Sequence, residues 1–421
     1  MKILQINVTA NWGSTGHITE NISLLCMQEG WESYVAYGRY ANPSKSSLIR
    51  IGNQLATYTH GLHSLAGGHG LGSATATRCF IRQIEKIQPD IIHLHNIHGY
   101  YLNYPLLFHY LQQTAIPVVW TLHDCWPLTG QCAYFDLIHC NKWQTECKQC
   151  PNRKSYPRAL FDCSTRNFRL KKTLFTSLNN LTLIPVSQWL RRLLQASFLK
   201  KYPIQTIHNG IDTDTFHPMD TDDIRKKLHA GDKFILLGSA SIWNKRKGFD
   251  DLLLLHQRLD HTRFLLVLVG LTDKQLQHLP SGITGIKRTD SIKDLAALYS
   301  AAGIYLNPTY EDSFPTTNLE AMACGTPVCT YRTGGSPEAI DTHTGFVVEQ
   351  GDIEGMKQAA LTVWQTGKDH YRDACRNRAV THFQATKQFA EYINLYKNIV
   401  AVKTLGSKNH PTHHVPKQSS I

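Results

Sequence analysis

No apolar stretch in the 421 residues approaches the ~20 that a membrane-crossing helix requires. The longest, Phe264 to Val269, has only the length of a strand. No leader segment is expected either, because Met1 runs straight into the strand-like Lys2 to Val8. A cytoplasmic location is therefore the expectation, and the Asn-x-Ser/Thr triplets at Asn7, Asn21 and Asn180 carry no glycosylation meaning. Acids are in short supply: 32 Asp and Glu against 44 Lys and Arg leave a net charge of +12. That balance favours anions, such as nucleotide phosphates, an anionic membrane face or nucleic acid. For the last of these, the basic residues are dispersed and no recognisable nucleic-acid module is present. The dinucleotide fingerprint is also missing. Gly13 and Gly16 do not make G-x-G-x-x-G, and the strand ending at Gly38 lacks a ribose-binding acid.

What is present is a globular composition, 42% hydrophobic with a mean hydropathy of −0.29, in a chain long enough for two domains of about 200 residues each. Strands and helices alternate throughout, and no repeat or low-complexity block precedes the tail. This predicts two Rossmann-like parallel-sheet α/β domains facing a cleft. In the first half, Asp90 to Asn96, Pro117 to His123 and Leu181 to Val186 are apolar throughout and end in polar residues. Buried parallel strands look like this when their C-terminal ends form a site, so His95, Asn96, His98, His123 and Asp124 are expected on one rim. Asn53 to Arg78 reads as helix with a Gly-rich break, and Ile204 to Asn209 as a further extended stretch. In the second half, strands are expected at Phe234 to Gly238, Phe264 to Val269, Ile304 to Leu306, Val328 to Tyr331 and Gly345 to Glu349.

The most informative stretch is Asn307 to Thr330. A strand end, a polar Pro-bearing loop and a short helix from Thr317 to Ala323 place a helix N-terminus over the strand ends, where unsatisfied N–H groups suit a phosphate. Asp312 and Glu320 bracket the loop with seven residues between them. Thr317 and Glu320 also fit a capping box, in which Glu320 would only close its own helix. Upstream, Lys247-Gly248 opens another helix and sets a cation where a diphosphate would lie, with Arg246 beside it. The Gly-bearing loop after the first strand, including Gly16, has the same phosphate-cradling form.

The string P-x-x-E-D-S-F-P-x-x-x-L-E-A-M-A-C-G-T-P-V resembles the donor-sugar motif of family 4 glycosyltransferases, which have the two-domain glycosyltransferase-B fold. Among them, the bacterial colanic-acid and capsule-type transferases are the most similar. The family's usual Glu-x7-Glu departs here, since the first acid is Asp312 or, shifted by one, Glu311. N-G-I-D-T-D-T-F-H-P resembles the interdomain hinge motif, and T-G-G-S-P-E from Thr333 to Glu338 the family's T-G-G-x-x-E. D-x-D at Asp212 and Asp214 falls in that turn-rich hinge and reads as turn chemistry. The resemblance implies a metal-independent retaining transferase, moving a sugar from a nucleotide-diphosphate sugar onto a glycan or lipid-linked glycan hydroxyl of a bacterial surface polysaccharide. It implies that Lys247, Arg246 and the backbone around Ser313, Phe314 and Thr316 hold the diphosphate, with Thr317 and Gly16 nearby. Glu320 would bind the ribose, Asp312 the sugar hydroxyls, and His123 the transferred sugar. The basic balance fits peripheral attachment to the inner face of a plasma membrane.

The expected organisation is an acceptor-side domain over 1–205, a nucleotide-sugar domain over 206–375, helices crossing back over 376–402 and a disordered basic tail over 403–421. A Cys-rich insertion at 124–163 holds six of the chain's 11 cysteines. Cys132, Cys140, Cys147 and Cys150 follow C-x7-C-x6-C-x2-C, which fits a structural Zn²⁺ site or buried thiols. Because it follows a strand at the rim, the insertion is expected to shape the acceptor pocket. Two other readings stand beside the transferase: a nucleotide-sugar 2-epimerase of the same fold, and a zinc-bearing nucleic-acid-binding protein.

Overall fold

The computed structural model describes residues 1–408, and strands alternate with helices along them. The first sheet contains β1 (Lys2–Asn7), β2 (Glu32–Tyr37), β3 (Ser47–Arg50), β4 (Ile91–Leu94), β5 (Val118–Leu122) and β6 (Leu181–Pro185). The second contains β7 (Phe234–Ser239), β8 (Phe264–Val269), β9 (Ile283–Ile286), β10 (Ile304–Asn307), β11 (Val328–Tyr331) and β12 (Gly345–Val348). Their orders are β3-β2-β1-β4-β5-β6 and β12-β11-β10-β7-β8-β9, the same doubly wound arrangement twice, and every pairing is parallel. β4, β5, β8, β10 and β11 are buried at every position. Such strands need helices on both faces, which is why they read as unbroken apolar runs rather than as alternations. In each sheet the strand order reverses once, between β1 and β4 and between β7 and β10. The crevice beyond the strand C-termini at such a point is where ligands enter doubly wound folds.

Two segments cross between the lobes and pair with each other. Ile211 N–H donates to Phe383 O at 2.7 Å, and Ala385 N–H to Ile211 O at 2.8 Å. Gly210 permits the approach, since a Cβ there would come within 2.6 Å of Ala385 Cα. The helix Ala385–Lys408 then lies on the first lobe, with Phe389, Tyr392 and Tyr396 buried among Ile3, Ile22 and Ile184. Tyr396 Oη meets His93 Nδ1 at 2.6 Å, and Thr121 Oγ1 donates to Tyr392 Oη at 3.0 Å.

Several local expectations change. β3 and β9 were not anticipated: both are four-residue edge strands with no fully buried position, so neither carries a strong apolar pattern. Ile204 to Asn209 runs extended beside β6, with a bridge from Ile204 to Leu183, Gln205 N–H donating to Leu183 O at 3.1 Å and Ile207 N–H to Pro185 O at 3.3 Å. Asp212 accepts N–H groups from Asp214 and Thr215 and the Thr215 hydroxyl, which accounts for D-x-D as a turn. The helix continues through the start of the expected tail to Lys408. The remainder of that tail, 409–421, lies outside the described residues.

Candidate active site

The loop between β10 and the helix Thr316–Ala323 begins the site. Its helix is preceded by Pro315, and no side chain caps it, so the capping box is absent. Thr316 and Thr317 consequently keep first-turn N–H groups with no acceptor among the described residues. Glu320, released from capping, accepts from Tyr299 Oη at 2.8 Å and from the Thr316 hydroxyl. Tyr299 Oη is in turn 2.8 Å from Ser239 Oγ at the end of β7. Burial raises the Glu320 carboxyl above its ordinary range, against those two hydrogen bonds.

The acid at the cleft is Asp312, not its neighbour. Glu311 turns the other way and accepts Leu137 N–H of the Cys-rich insertion at 2.9 Å. Asp312 Oδ2 meets Lys247 Nζ at 2.6 Å in a half-buried ion pair, while its Oδ1 accepts Phe314 N–H at 3.2 Å. Lys247 is delivered by a short turn whose N–H is capped by Asn244 Oδ1 at 3.2 Å. Arg246 donates to Glu311 O at 2.8 Å and lies 4.8 Å from the centre of the Tyr134 ring. The T-G-G segment supports this loop from behind: Gly335 N–H donates to Asp312 O at 3.1 Å. Gly334 has φ +55°, and a Cβ there would land on the Asp312 carbonyl.

The first lobe supplies the opposite wall. His123 and Asp124 follow β5, Asn96 follows β4, and Ser14 and Thr15 open the helix Gly13–Gln28. Asp124 accepts from His98 Nε2 at 2.8 Å and from Trp126 N–H at 2.9 Å. Burial pushes its carboxyl up, but the His98 ring and the Trp126 N–H prevail and hold it below its usual range. His123 is half-buried, and burial takes its ring down to about 4, so the imidazole is neutral at physiological pH.

These walls enclose one cavity of about 320 Å³. His123, Arg246, Lys247, Asp312, Phe314, Thr316, Thr317 and Glu320 all line it. Gly16 and Ser313 do not. Gly16 packs the helix onto the loop after β1, where a Cβ would approach Thr9 Oγ1 at 2.9 Å. Ser313 turns inward, and its Oγ is buried without a partner among the described residues. Ser239, Ser241, Tyr134 and Asn209 also line the cavity without having been anticipated. Ser239 had a signal, as the polar residue ending an apolar strand, whereas Tyr134 arrives only through the fold of the insertion.

Cys132, Cys140, Cys147 and Cys150 line a separate cavity of about 20 Å³. The Cys132 thiol donates to Cys150, and that bond, ahead of the Asn152 N–H, pulls the Cys150 thiol down to about 7 although burial opposes it. Lys171 is buried beside them; its Nζ donates to Trp126 O at 2.7 Å and Thr129 O at 3.0 Å. Among the described residues, no group of three or more His, Cys, Asp or Glu is arranged as ready metal ligands.

Two doubly wound lobes facing a cation–carboxylate pair, an open helix N-terminus and a second, half-buried acid are the glycosyltransferase-B class of architecture. Residues 19–215 match the model described as Glycosyltransferase Family 4, and residues 232–366 the one described as Glycosyl transferases group 1. The chain belongs to this family of glycosyltransferases. It is 22% identical over 427 residues to an Escherichia coli K12 protein named as the colanic acid biosynthesis glycosyl transferase WcaC, covering 95% of this chain and 100% of that one. Among solved structures, sucrose-phosphate synthase of Thermosynechococcus elongatus superposes with a TM-score of 0.72 at 18% identity, covering 95% of this chain and 99% of that one. HepE of Anabaena, in complex with UDP-glucose, gives 0.63 at 16% identity, covering 97% and 100%.

Proposed function

We propose that this enzyme transfers a sugar from a nucleotide-diphosphate sugar, with retention of configuration, to a hydroxyl of a growing, lipid-linked bacterial surface polysaccharide. The observation that carries the proposal is the single cavity that joins Lys247, Asp312, Glu320 and the Thr316–Thr317 N–H groups to His123 across the two lobes. The HepE complex favours UDP as the nucleotide, and WcaC favours a polysaccharide product. The basic balance and the absence, among the described residues, of a helix long and apolar enough to cross a membrane favour peripheral attachment to an anionic face.

In this scheme Lys247 moves from Asp312 to the diphosphate, and the Thr316 and Thr317 N–H groups complete its neutralisation. Fixed donors placed where charge develops lower the barrier without reorganisation, so a divalent metal is not required for the chemical step. Asp312, released by Lys247, accepts a sugar hydroxyl near the developing oxocarbenium ion. Glu320 accepts from the ribose. A diphosphate oxygen takes the acceptor's proton as attack occurs on the face the leaving group vacates. Tyr134 brings the Cys-rich insertion to the cavity, which supports its role in shaping the acceptor pocket. A structural Zn²⁺ at Cys132, Cys140, Cys147 and Cys150 belongs to the proposal in one form only. Cys132, Cys140, Cys147 and Cys150, which line one small cavity, would hold the ion only by coming closer together than they stand here. Zinc near one equivalent per chain supports that element, and a folded zinc-free protein removes it.

The deciding experiment supplies nucleotide sugars with a lipid-linked glycan acceptor and follows product stereochemistry by NMR. Glu320→Ala and Lys247→Ala are each expected to abolish transfer in a folded protein. Wild-type turnover by either, or an inverted product, contradicts the proposal.

A further inference from the structure

Behind the cavity wall a chain of three side chains fixes how His123 is protonated. Gln5, on β1, is fully buried, and its amide nitrogen donates to Thr19 O at 2.9 Å and to Ser23 Oγ at 2.8 Å. A carbonyl accepts only from the amide N–H, so the orientation is determined and Gln5 Oε1 faces the other way. It lies 3.0 Å from His95 Nε2, which must therefore carry a hydrogen. His95 is buried, and burial holds its ring well below the ordinary histidine range, so it is neutral and its Nδ1 bears a lone pair. That lone pair faces His123 Nε2 at 3.1 Å, with the two rings only 15° from parallel. His123 Nε2 must then donate. Being neutral as well, His123 keeps an unprotonated Nδ1, which has no partner among the described residues. The neighbouring Asp124 is occupied by His98 and Trp126 and does not reach the ring.

We propose that Gln5 and His95 are positioning residues that hold His123 as its Nε2–H tautomer, so that Nδ1 is offered to the cavity as an acceptor for a hydroxyl of the transferred sugar. The ligand assignment rests on the donor-site reading above, whereas the tautomer assignment does not. An acceptor at this point selects a hydroxyl-bearing sugar and gives nothing to the phosphates. His123 therefore separates recognition of the sugar from recognition of the nucleotide. Gln5→Met removes the acceptor that orients His95. His95 is then free to protonate Nδ1, which reverses the bond to His123 and puts a hydrogen where the lone pair stood.

The test is nitrogen-15 NMR of the ring nitrogens in the full-length protein without ligand, followed by titration with UDP and with UDP-glucose. Wild type is expected to show His123 protonated at Nε2 only. Gln5→Met is expected to lose that state and to bind UDP-glucose roughly three- to tenfold more weakly, the loss of one hydrogen bond, with UDP binding unchanged. His95→Gln, whose amide oxygen accepts from His123, retains the Nε2–H state and serves if Gln5→Met does not fold. A wild-type His123 protonated at Nδ1, or a folded Gln5→Met with an unaltered tautomer, overturns the proposal. If UDP-glucose fails to bind while the tautomers behave as stated, the relay stands and the donor assignment is what fails.

Discussion

Glu338 offers the sharpest energetic test of how the lobes are held together. Its carboxylate accepts Gln188 N–H at 2.8 Å and Trp189 N–H at 2.6 Å, with His208 Nε2 at 3.3 Å. Gln188 and Trp189 open the helix Gln188–Ala196 of the first lobe, while Glu338 belongs to the second. Ser187 serves the next donor, Leu190 N–H, at 3.2 Å, so the interlobe carboxylate completes the cap. Each bond to a charged acceptor is worth about 1.5–3 kcal/mol, and helix-terminus attraction adds about 0.3–1. Against this, a cavity of about 460 Å³ borders Gln188, Trp189 and Glu338, so water reaches the freed N–H groups. The net cost of Glu338→Ala should fall near 2 kcal/mol, or roughly a 30-fold shift toward separated lobes. Urea unfolding measures the first, and small-angle scattering without ligand the second. Glu338→Gln, which keeps an oxygen acceptor but not the charge, should show about half the effect. A Glu338→Ala protein within about 0.5 kcal/mol of wild type, the range of an ordinary surface change, with unchanged scattering would refute the reasoning.

Asp312→Asn frees Lys247, so affinity for a nucleoside diphosphate should hold or improve while turnover falls by at least about a hundredfold, the scale of a lost transition-state contact; calorimetry and initial rates separate the two. Gly334→Ala meets both a positive φ and the Asp312 carbonyl, and should cost about 1–3 kcal/mol in urea unfolding together with most of the activity. Acid should destabilise the fold well above the carboxylate range. His60 and His123 are depressed to about 4 by burial, and His69, His93 and His95 in the same direction. Their stabilisation is complete above the unfolded value near 6.5 and is lost as pH falls toward 4, at up to about 1.4 kcal/mol per pH unit for each group. A urea midpoint that does not change from pH 7 to pH 5 would count against it.

What the sequence disclosed was mostly local. The run from β10 through Asp312 to Glu320 is a contiguous strand–loop–helix, so its string and the family it resembles pointed to Glu320 and to an acid at 311 or 312, and the apolar runs of β4, β5 and β8 announced buried strands. Lys247 was identifiable as a cation at a helix start, yet its ion pair with Asp312 joins residues 65 apart and was invisible. The same holds for Gln5 with His95, which are 90 apart, and for Glu338 with the helix it caps, 150 residues away. Gly16 was ambiguous because a glycine at a helix start fits either phosphate binding or tight packing, and the approach of Thr9, which shows the packing, lies outside any local pattern. Choosing Asp312 over Glu311 likewise required knowing that Leu137 claims Glu311.

The most direct measurement is the melting temperature of the wild-type protein against a panel of nucleotide sugars and nucleoside diphosphates, repeated for Lys247→Ala and Glu320→Ala. At a hundred times Kd a bound ligand adds about 2.7 kcal/mol, or several degrees for lobes of this size. At least one nucleotide sugar should raise the wild-type Tm by that amount and leave both folded variants unmoved. A panel without effect on wild type, or an equal rise in the two variants, would contradict the placement of the donor between Lys247 and Glu320.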